Sequence, residues 1–268
     1  MTYFASGKLN LPGAMFTASH NPAEYNGIKL CKSAARPIGQ DSGLRRIRDL
    51  VIEGVPMPNR SPGKITEKDM LLEYVDFLIG MFGNELTSAQ RRLKVVIDAG
   101  NGMAGHTAPA VMEKLNVDVV PMYFELDGTF PNHEANPIDA ANVKDLQAAV
   151  KKHKADIGLA FDGDADRCFL IDEKGAIVTP STLTGLIAVR ELKRKPGSSI
   201  IYNLISSKAV PEVVNEHGGT AIRSRVGHSF IKAMMAETGA IFGGEHSGHF
   251  YFADFWKADS GMLAALFA

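Results

Sequence analysis

The sequence predicts an α/β protein of consecutive mixed, largely parallel sheets sandwiched by helices. Short apolar runs suited to buried strands alternate with segments whose apolar residues recur at helical spacing, as in βαβ units. The alternation begins afresh along the chain, so duplicated domains are expected, although no clear sequence repeat accompanies them. The 268 residues, 45% hydrophobic and 22% charged, are ample for two or three buried cores. The expected units are residues 1–85, 86–182 and 183–268.

In the first unit a strand-like run at 13–18 breaks into the polar loop Ser19-His20-Asn21-Pro22, because the residue before proline avoids the helical region. Leu44, Ile47, Leu50 and Val51 recur at helical spacing and predict a helix over 41–52. Pro56, Pro58, Pro62 and Gly63 mark a turn-rich stretch, and Leu71, Leu72, Val75, Leu78 and Ile79 predict an amphipathic helix over 68–82. The second unit reads as strand 93–99, helix 104–115, strand 117–124, helix 142–153, then strands 157–161 and 168–172 around a tight acidic loop. The third reads as a helix from 183 to 193, a turn at Pro196-Gly197, strand 199–204 and helices 207–216 and 229–238. Strands 240–242 and 250–252 then bracket a glycine-rich loop, and an apolar helix begins at 261.

A net charge of −1 offers no basic excess for nucleic acid or an anionic membrane. No apolar run approaches the ~20 residues that span a bilayer, and the first eleven residues lack a signal-peptide pattern. Cys31 and Cys168 show no zinc spacing and no disulfide framework, which fits a cytoplasmic protein. Oligomeric state is not legible.

Asp162-Gly163-Asp164-Ala165-Asp166-Arg167 sets three carboxylates on alternate residues between apolar strands. Like charges this close repel unless a cation compensates, and hard oxygen ligands suit magnesium or calcium. A solvated acidic turn is the bland alternative, but the apolar flanks place the loop at a strand end, where α/β sites form. An EF-hand spaces acids in the same way, with Glu173 at its twelfth position; Arg167, however, stands where that loop needs glycine, and the flanks read as strands.

Ser19 puts a hydroxyl on a loop, weak as a nucleophile without a base or metal beside it. Taken alone, a Ser-His pair in a loop is more often turn chemistry. Lys29, in Gly27-Ile28-Lys29, brings an amine able to exchange protons. In Gly243-Gly244-Glu245-His246-Ser247-Gly248-His249 the side chains of Glu245, Ser247 and His249 face one way if the segment is extended, a row suited to sugar hydroxyls. A glycine-rich turn with incidental histidines would read the same.

Gly100-Asn101-Gly102-Met103-Ala104-Gly105 matches a dinucleotide-binding pattern, with Glu125 placed where a ribose-binding acid would sit and an NAD(P)-linked oxidoreductase as its consequence. The same spacing arises at any tight strand-to-helix turn. Arg223, Arg225, Gly227 and His228, just ahead of a helix, suit phosphate recognition or form a solvated basic turn. Lys208 follows a strand and reads equally as a helix-start lysine.

Thr17-Ala18-Ser19-His20-Asn21-Pro22 with Gly27-Ile28-Lys29, then the acidic loop, then Gly244-Glu245-His246-Ser247-Gly248-His249, in that order, resemble the α-D-phosphohexomutase superfamily, specifically its phosphomannomutase/phosphoglucomutase group. The resemblance implies repeated domains of phosphohexomutase type and reversible isomerisation of hexose 1-phosphate and hexose 6-phosphate through a bisphosphorylated sugar. It implies that Ser19 carries the transferable phosphoryl group and that Asp162, Asp164 and Asp166 hold Mg2+, with the phosphoserine completing the site. Arg167 is then expected to support ligand contacts, and His20 and Lys29 proton transfer. Lys208, Arg225, Gly227 and His228 are expected to line the substrate site, with Glu245, Ser247 and His249 binding the sugar. His246 points to mannose or glucose rather than N-acetylglucosamine substrates. Family members have four domains; here most of the first, the end of the third and the whole fourth are expected to be missing, so turnover by this chain is expected to be poor, and an inactive sugar-phosphate-binding remnant is the alternative.

Overall fold

Three sheets succeed one another in the computed structural model, which describes residues 1–55, 59, 61–86 and 91–268. The expected turn at Pro56 and Pro58 lies outside these residues. The first sheet is a small antiparallel meander of β1 (Gly13–Phe16), β2 (Ile28–Lys32) and β3 (Arg36–Pro37). It packs on α1 (Thr2–Leu9), which inserts Phe4 into the core. The helix expected over 41–52 is a π-helical turn, Gln40–Leu44, leading into α2 (Arg45–Glu53). None of the α2 side chains is buried, and Val51 and Ile52 stand exposed.

The second sheet has the order β5-β4-β6-β7-β8, built from β4 (Leu93–Asp98), β5 (Val117–Met122), β6 (Ile157–Phe161), β7 (Cys168–Ile171) and β8 (Ile177–Val178). β5, β4 and β6 run parallel, and β7 and β8 then pair antiparallel. The parallel crossovers are α4 (Ala104–Met112) and α5 (Lys144–His153), as parallel pairing requires. The third sheet repeats the plan: β10-β9-β11-β12-β13, from β9 (Ser199–Asn203), β10 (Thr220–Ser224), β11 (Phe242–Gly244), β12 (Phe250–Phe252) and β13 (Ala258–Asp259). Its first three strands are again parallel and its last two antiparallel. The duplication that the sequence does not display is therefore present in the topology. Mixed sheets are borne out in the second and third units; the first sheet is antiparallel throughout.

Both large sheets are sandwiched. α3 (Leu71–Gly80), α4, α6 (Pro180–Arg194) and α9 (Gly261–Phe267) share one apolar core with facing strands of both sheets. In it Phe267 stacks on Phe252 at 5.4 Å and meets Phe82 edge-on at 4.7 Å. On the outer faces, α5 covers Val96 and Ile171, while α8 (His228–Thr238) covers Ile201 and Tyr251. α7 (Ala209–Glu216) packs on α6. Among the described residues no helix is long and apolar enough to cross a membrane.

This plan places the working loops. In a parallel sheet the carboxyl ends of neighbouring strands whose connections diverge leave a crevice. The acidic loop joins β6 to β7, and the Glu245–His249 turn joins β11 to β12, the corresponding hairpin of the next unit. An isolated antiparallel bridge between Arg167 and His249 ties the two together.

Candidate active site

Ser19 reaches the acidic loop across 143 residues of sequence. Its Oγ donates to Asp162 Oδ2 at 2.8 Å or Asp164 Oδ1 at 3.2 Å. Its backbone lies at φ 58°, in the left-handed region that costs L residues energy. Thr17 holds it there: Thr17 Oγ1 accepts from Ser19 N at 2.8 Å and donates to Asp164 Oδ2 at 3.0 Å. The two loops touch through backbone, since a Cβ on Gly163 would stand 2.3 Å from Ser19 O. Thr17 was not singled out from sequence; its only signal is its place in the serine motif.

Lys29, on β2, bridges the acidic loop, its Nζ 2.6 Å from Asp164 Oδ2 and 2.5 Å from Asp166 Oδ2. Arg167 donates its backbone N–H to Asp162 Oδ1 at 3.1 Å and holds its Nε 3.6 Å from Asp162 Oδ2. Burial, then the neighbouring acids, pushes the Asp162 carboxyl well above and the Asp164 carboxyl above the usual range. For Asp166 burial acts the same way, but the His249 imidazole and Lys29 ammonium outweigh it and hold the group well below. Burial would likewise lower the Lys29 ammonium, yet Asp166 and Asp164 keep it above the ordinary lysine value.

The donor set fits a divalent cation. One carboxylate oxygen from each of Asp162, Asp164 and Asp166 lies within 4.8 Å of the others. Asp166 Oδ1 is buried with no hydrogen-bond partner among the described residues. Three clustered oxygen donors of this kind are what a hard cation stabilises.

His20 Nδ1 lies 3.5 Å from Ser19 Oγ. Burial, aided by the Arg167 charge, lowers its pKa to about 4. Across a cavity of about 330 Å³ that Ser19, His20, Lys29 and Arg167 line, His249 closes the other wall. Its Nε2 accepts from Arg167 Nε at 3.3 Å and lies 3.4 Å from Asp166 Oδ1.

The Glu245–His249 segment is a turn, not the extended row expected. Gly248 N donates to Glu245 O, Glu245 N donates to His249 O, and Gly248 takes φ 88°. The side chains converge nonetheless, with Ser247 Oγ 3.1 Å from His249 Nδ1. The Glu245 carboxylate faces inward, accepting from Gly227 N at 2.9 Å, Asn203 Nδ2 at 3.3 Å and Tyr251 OH at 2.6 Å. It thereby locks the turn to the Gly227 loop at the start of α8. His246 Nδ1 meets Ser181 Oγ at 3.0 Å.

Lys208, at the N-terminus of α7, and Arg225, stacked 4.5 Å over the Phe230 ring, are exposed and take no part in the serine–aspartate cluster. The side chain of His228 lies outside what the structure describes. Sequence reasoning missed Asp259, which lines the same cavity as Ser19 and His249, and Lys232, which pairs with it at 2.6 Å.

The glycine motif at 100–105 is spent on structure. Met103 N donates to Gly163 O at 2.9 Å and Asn101 N to Tyr123 O at 2.9 Å. A Cβ on Gly102 would stand 2.6 Å from Gly163 O. Protein backbone thus occupies the close approach that a pyrophosphate would need.

Comparison with known proteins agrees with this geometry. The models of the first, second and third α/β/α domains of phosphoglucomutase/phosphomannomutase match residues 1–54, 72–175 and 179–268. An Escherichia coli phosphomannomutase is 40% identical over 97% of this chain and 59% of its own length. A Neisseria meningitidis phosphoglucomutase is 38% identical over 98% and 56%. The crystal structure of a family protein from Burkholderia thailandensis superposes with a TM-score of 0.87 at 34% identity, covering 95% of this chain and 54% of that one. The chain thus spans somewhat over half the length of these relatives. With three consecutive domain matches, relatives at this identity and a serine seated on the acidic loop, the chain belongs to the phosphoglucomutase/phosphomannomutase family.

Proposed function

We propose that this chain carries the phosphoryl-transfer centre of a phosphosugar mutase that interconverts hexose 1-phosphate and hexose 6-phosphate, with a sugar bisphosphate as intermediate. The observation that supports it most is Ser19 Oγ at 2.8 Å and 3.2 Å from two of three clustered carboxylates. On this reading Ser19 Oγ bears the phosphoryl group. When it leaves, the P–O bond to Ser19 breaks, a P–O bond to a sugar hydroxyl forms, and the hydroxyl proton needs an acceptor.

Asp162, Asp164 and Asp166 would hold Mg2+, which neutralises charge on the phosphoryl oxygens when bound. Lys29, kept cationic by two carboxylates, serves as a charge partner to the phosphoryl group. His20, kept neutral by its lowered pKa, is the better placed proton acceptor. Arg167 orients Asp162, while His249 faces the cavity as a sugar contact, with Ser247 beside its imidazole as a second one. Glu245 acts through the turn it locks, and Lys208, Arg225, Gly227 and His228 supply the outer phosphate and sugar contacts. The two buried cysteines suit a cytoplasmic location.

Incubation with glucose 1,6-bisphosphate and Mg2+, followed by intact-mass analysis, tests the proposal. One phosphate adduct is expected, absent from Ser19→Ala and lost on adding hexose 6-phosphate. No adduct, or an adduct that persists in Ser19→Ala, would overturn it.

A further inference from the structure

Beside His249, on the wall of the cavity that Ser19, His20 and Lys29 also line, Asp259 forms a buried ion pair that the proposed chemistry does not use. Lys232, on α8, places Nζ 2.6 Å from Asp259 Oδ1, on β13, and the two side chains are 2% and 3% exposed. The ammonium also sits 4.2 Å from the centroid of the Tyr3 ring, on α1. The other oxygen of the carboxylate, Asp259 Oδ2, lies 4.0 Å from His249 Nε2. The same nitrogen is 3.4 Å from Asp166 Oδ1 and 3.3 Å from Arg167 Nε.

We infer that Lys232 and Asp259 are positioning residues: their pair holds the His249 imidazole in register with Asp166 and Arg167, and so fixes the sugar-binding turn against the acidic loop. The inference rests on the function proposed above.

Three features support it. Removing two charges from water costs several kcal/mol per ion, and an apolar pair of similar volume is often as stable or more so. Core stability alone therefore does not account for an ammonium and a carboxylate here. Next, the pair gathers elements far apart in sequence. Tyr3 comes from the first unit, Asp166 from the second, and Lys232, His249 and Asp259 from the third, so the pair stands where three units must keep a fixed relation. Finally, Asp259 Oδ2 faces the same His249 nitrogen that Asp166 and Arg167 face. Ser247 meets Nδ1, and Tyr251 lies roughly parallel at 6.2 Å. Lys29 already anchors Asp166 through its other carboxylate oxygen, so loss of the pair displaces the imidazole rather than the acidic loop.

The test compares Lys232→Met with the double variant Lys232→Met/Asp259→Asn. The single variant strands a buried carboxylate and is expected to melt several degrees below wild type. The double variant, free of that charge, is expected to regain most of the melting temperature. Its half-saturating glucose 1,6-bisphosphate concentration for Ser19 phosphorylation, read by intact mass, is still expected to rise about tenfold. The Mg2+-induced gain in melting temperature is expected to stay at the wild-type value.

An independent readout is the 15N-edited imidazole spectrum, with His249 identified by loss of its signals in His249→Gln. In the double variant the His249 nitrogens should shift while the other histidines do not. A double variant with half-saturation within twofold of wild type and unmoved His249 nitrogens overturns the inference. So does a chain that no longer folds in both variants, for the pair is then structural only. If the wild type takes up no phosphate, the proposed function fails, and the imidazole spectrum alone decides the role of the pair.

Discussion

Substituting Gly163 by alanine tests whether contact between the serine and acidic loops is what makes the centre. An added Cβ would stand 2.3 Å from Ser19 O, where ordinary contact begins at 3.4 Å, so the loops must part by about 1 Å. The obstacle is backbone and has no rotamer to swing aside. The 2.8 Å contact between Ser19 Oγ and Asp162 Oδ2 then lengthens toward ~3.8 Å, beyond hydrogen-bond range. Displacement of this size lowers rates by roughly 100-fold, while overpacking costs about 1–3 kcal/mol of stability. The matched control is Gly185→Ala on α6, where an added Cβ meets nothing within 4 Å; a gain of up to ~1 kcal/mol is expected there. The assay is the rate of Ser19 phosphorylation by glucose 1,6-bisphosphate, at a temperature where both variants are folded by circular dichroism. A Gly163→Ala rate within threefold of the control would refute the reasoning, because the centre would then tolerate separation of its loops.

Other perturbations follow from the same geometry. Lys29→Met removes the cation between Asp164 and Asp166; breaking such a pair costs roughly 3 kcal/mol, so melting in EDTA should fall by several degrees and Mg2+ should restore more of it than it adds to wild type. Leu78→Ala, fully buried on α3 in the core shared by both large sheets, should lose about 2–5 kcal/mol in urea unfolding. The hydrogen bond that His133 Nε2 donates to the Asp98 carboxylate raises the His133 pKa above its ordinary 6.5, against burial. Protonation therefore favours the fold: the contribution is full below that ordinary value and lost as pH rises through the raised one. The stability gap between wild type and His133→Asn should accordingly be wider at ~pH 5.5 than at ~pH 9 in denaturant titrations.

The acidic loop was legible because three alternating carboxylates between apolar runs repel one another unless a cation sits among them, and the serine loop because its motif is local. Helix periodicity likewise located α3, α5 and α8, whose apolar faces are regular. α1 was not visible: Ser6 and Gly7 break any apolar stripe, and the helix is defined by what it packs on. A Cβ on Gly7 would fall 2.3 Å from the Trp256 ring. β2 escaped notice because Lys29 and Lys32 give it charge, and the charge of Lys29 is spent on partners 135 and 137 residues away. From sequence the row of Glu245, Ser247 and His249 reads as extended, because alternation is ambiguous in a glycine-rich segment; the left-handed Gly248 folds it into a turn. Lys232 and Asp259 were silent for a plainer reason. A lysine on a helix and an aspartate near a loop are ordinarily surface residues, and only the third dimension buries them together.

The acidic-loop hairpin of one unit and the Glu245–His249 hairpin of the next occupy the same station in two copies of one topology, joined by the Arg167–His249 bridge. On the proposed function one turn does two jobs on the same frame, gathering carboxylates in the first copy and ligand contacts in the second. Altered ligand preference is then open to mutation in the later copy, while the earlier copy keeps its chemistry intact. The seam between them, where Cys168 N also donates to Gly248 O, is where drift in one becomes visible to the other.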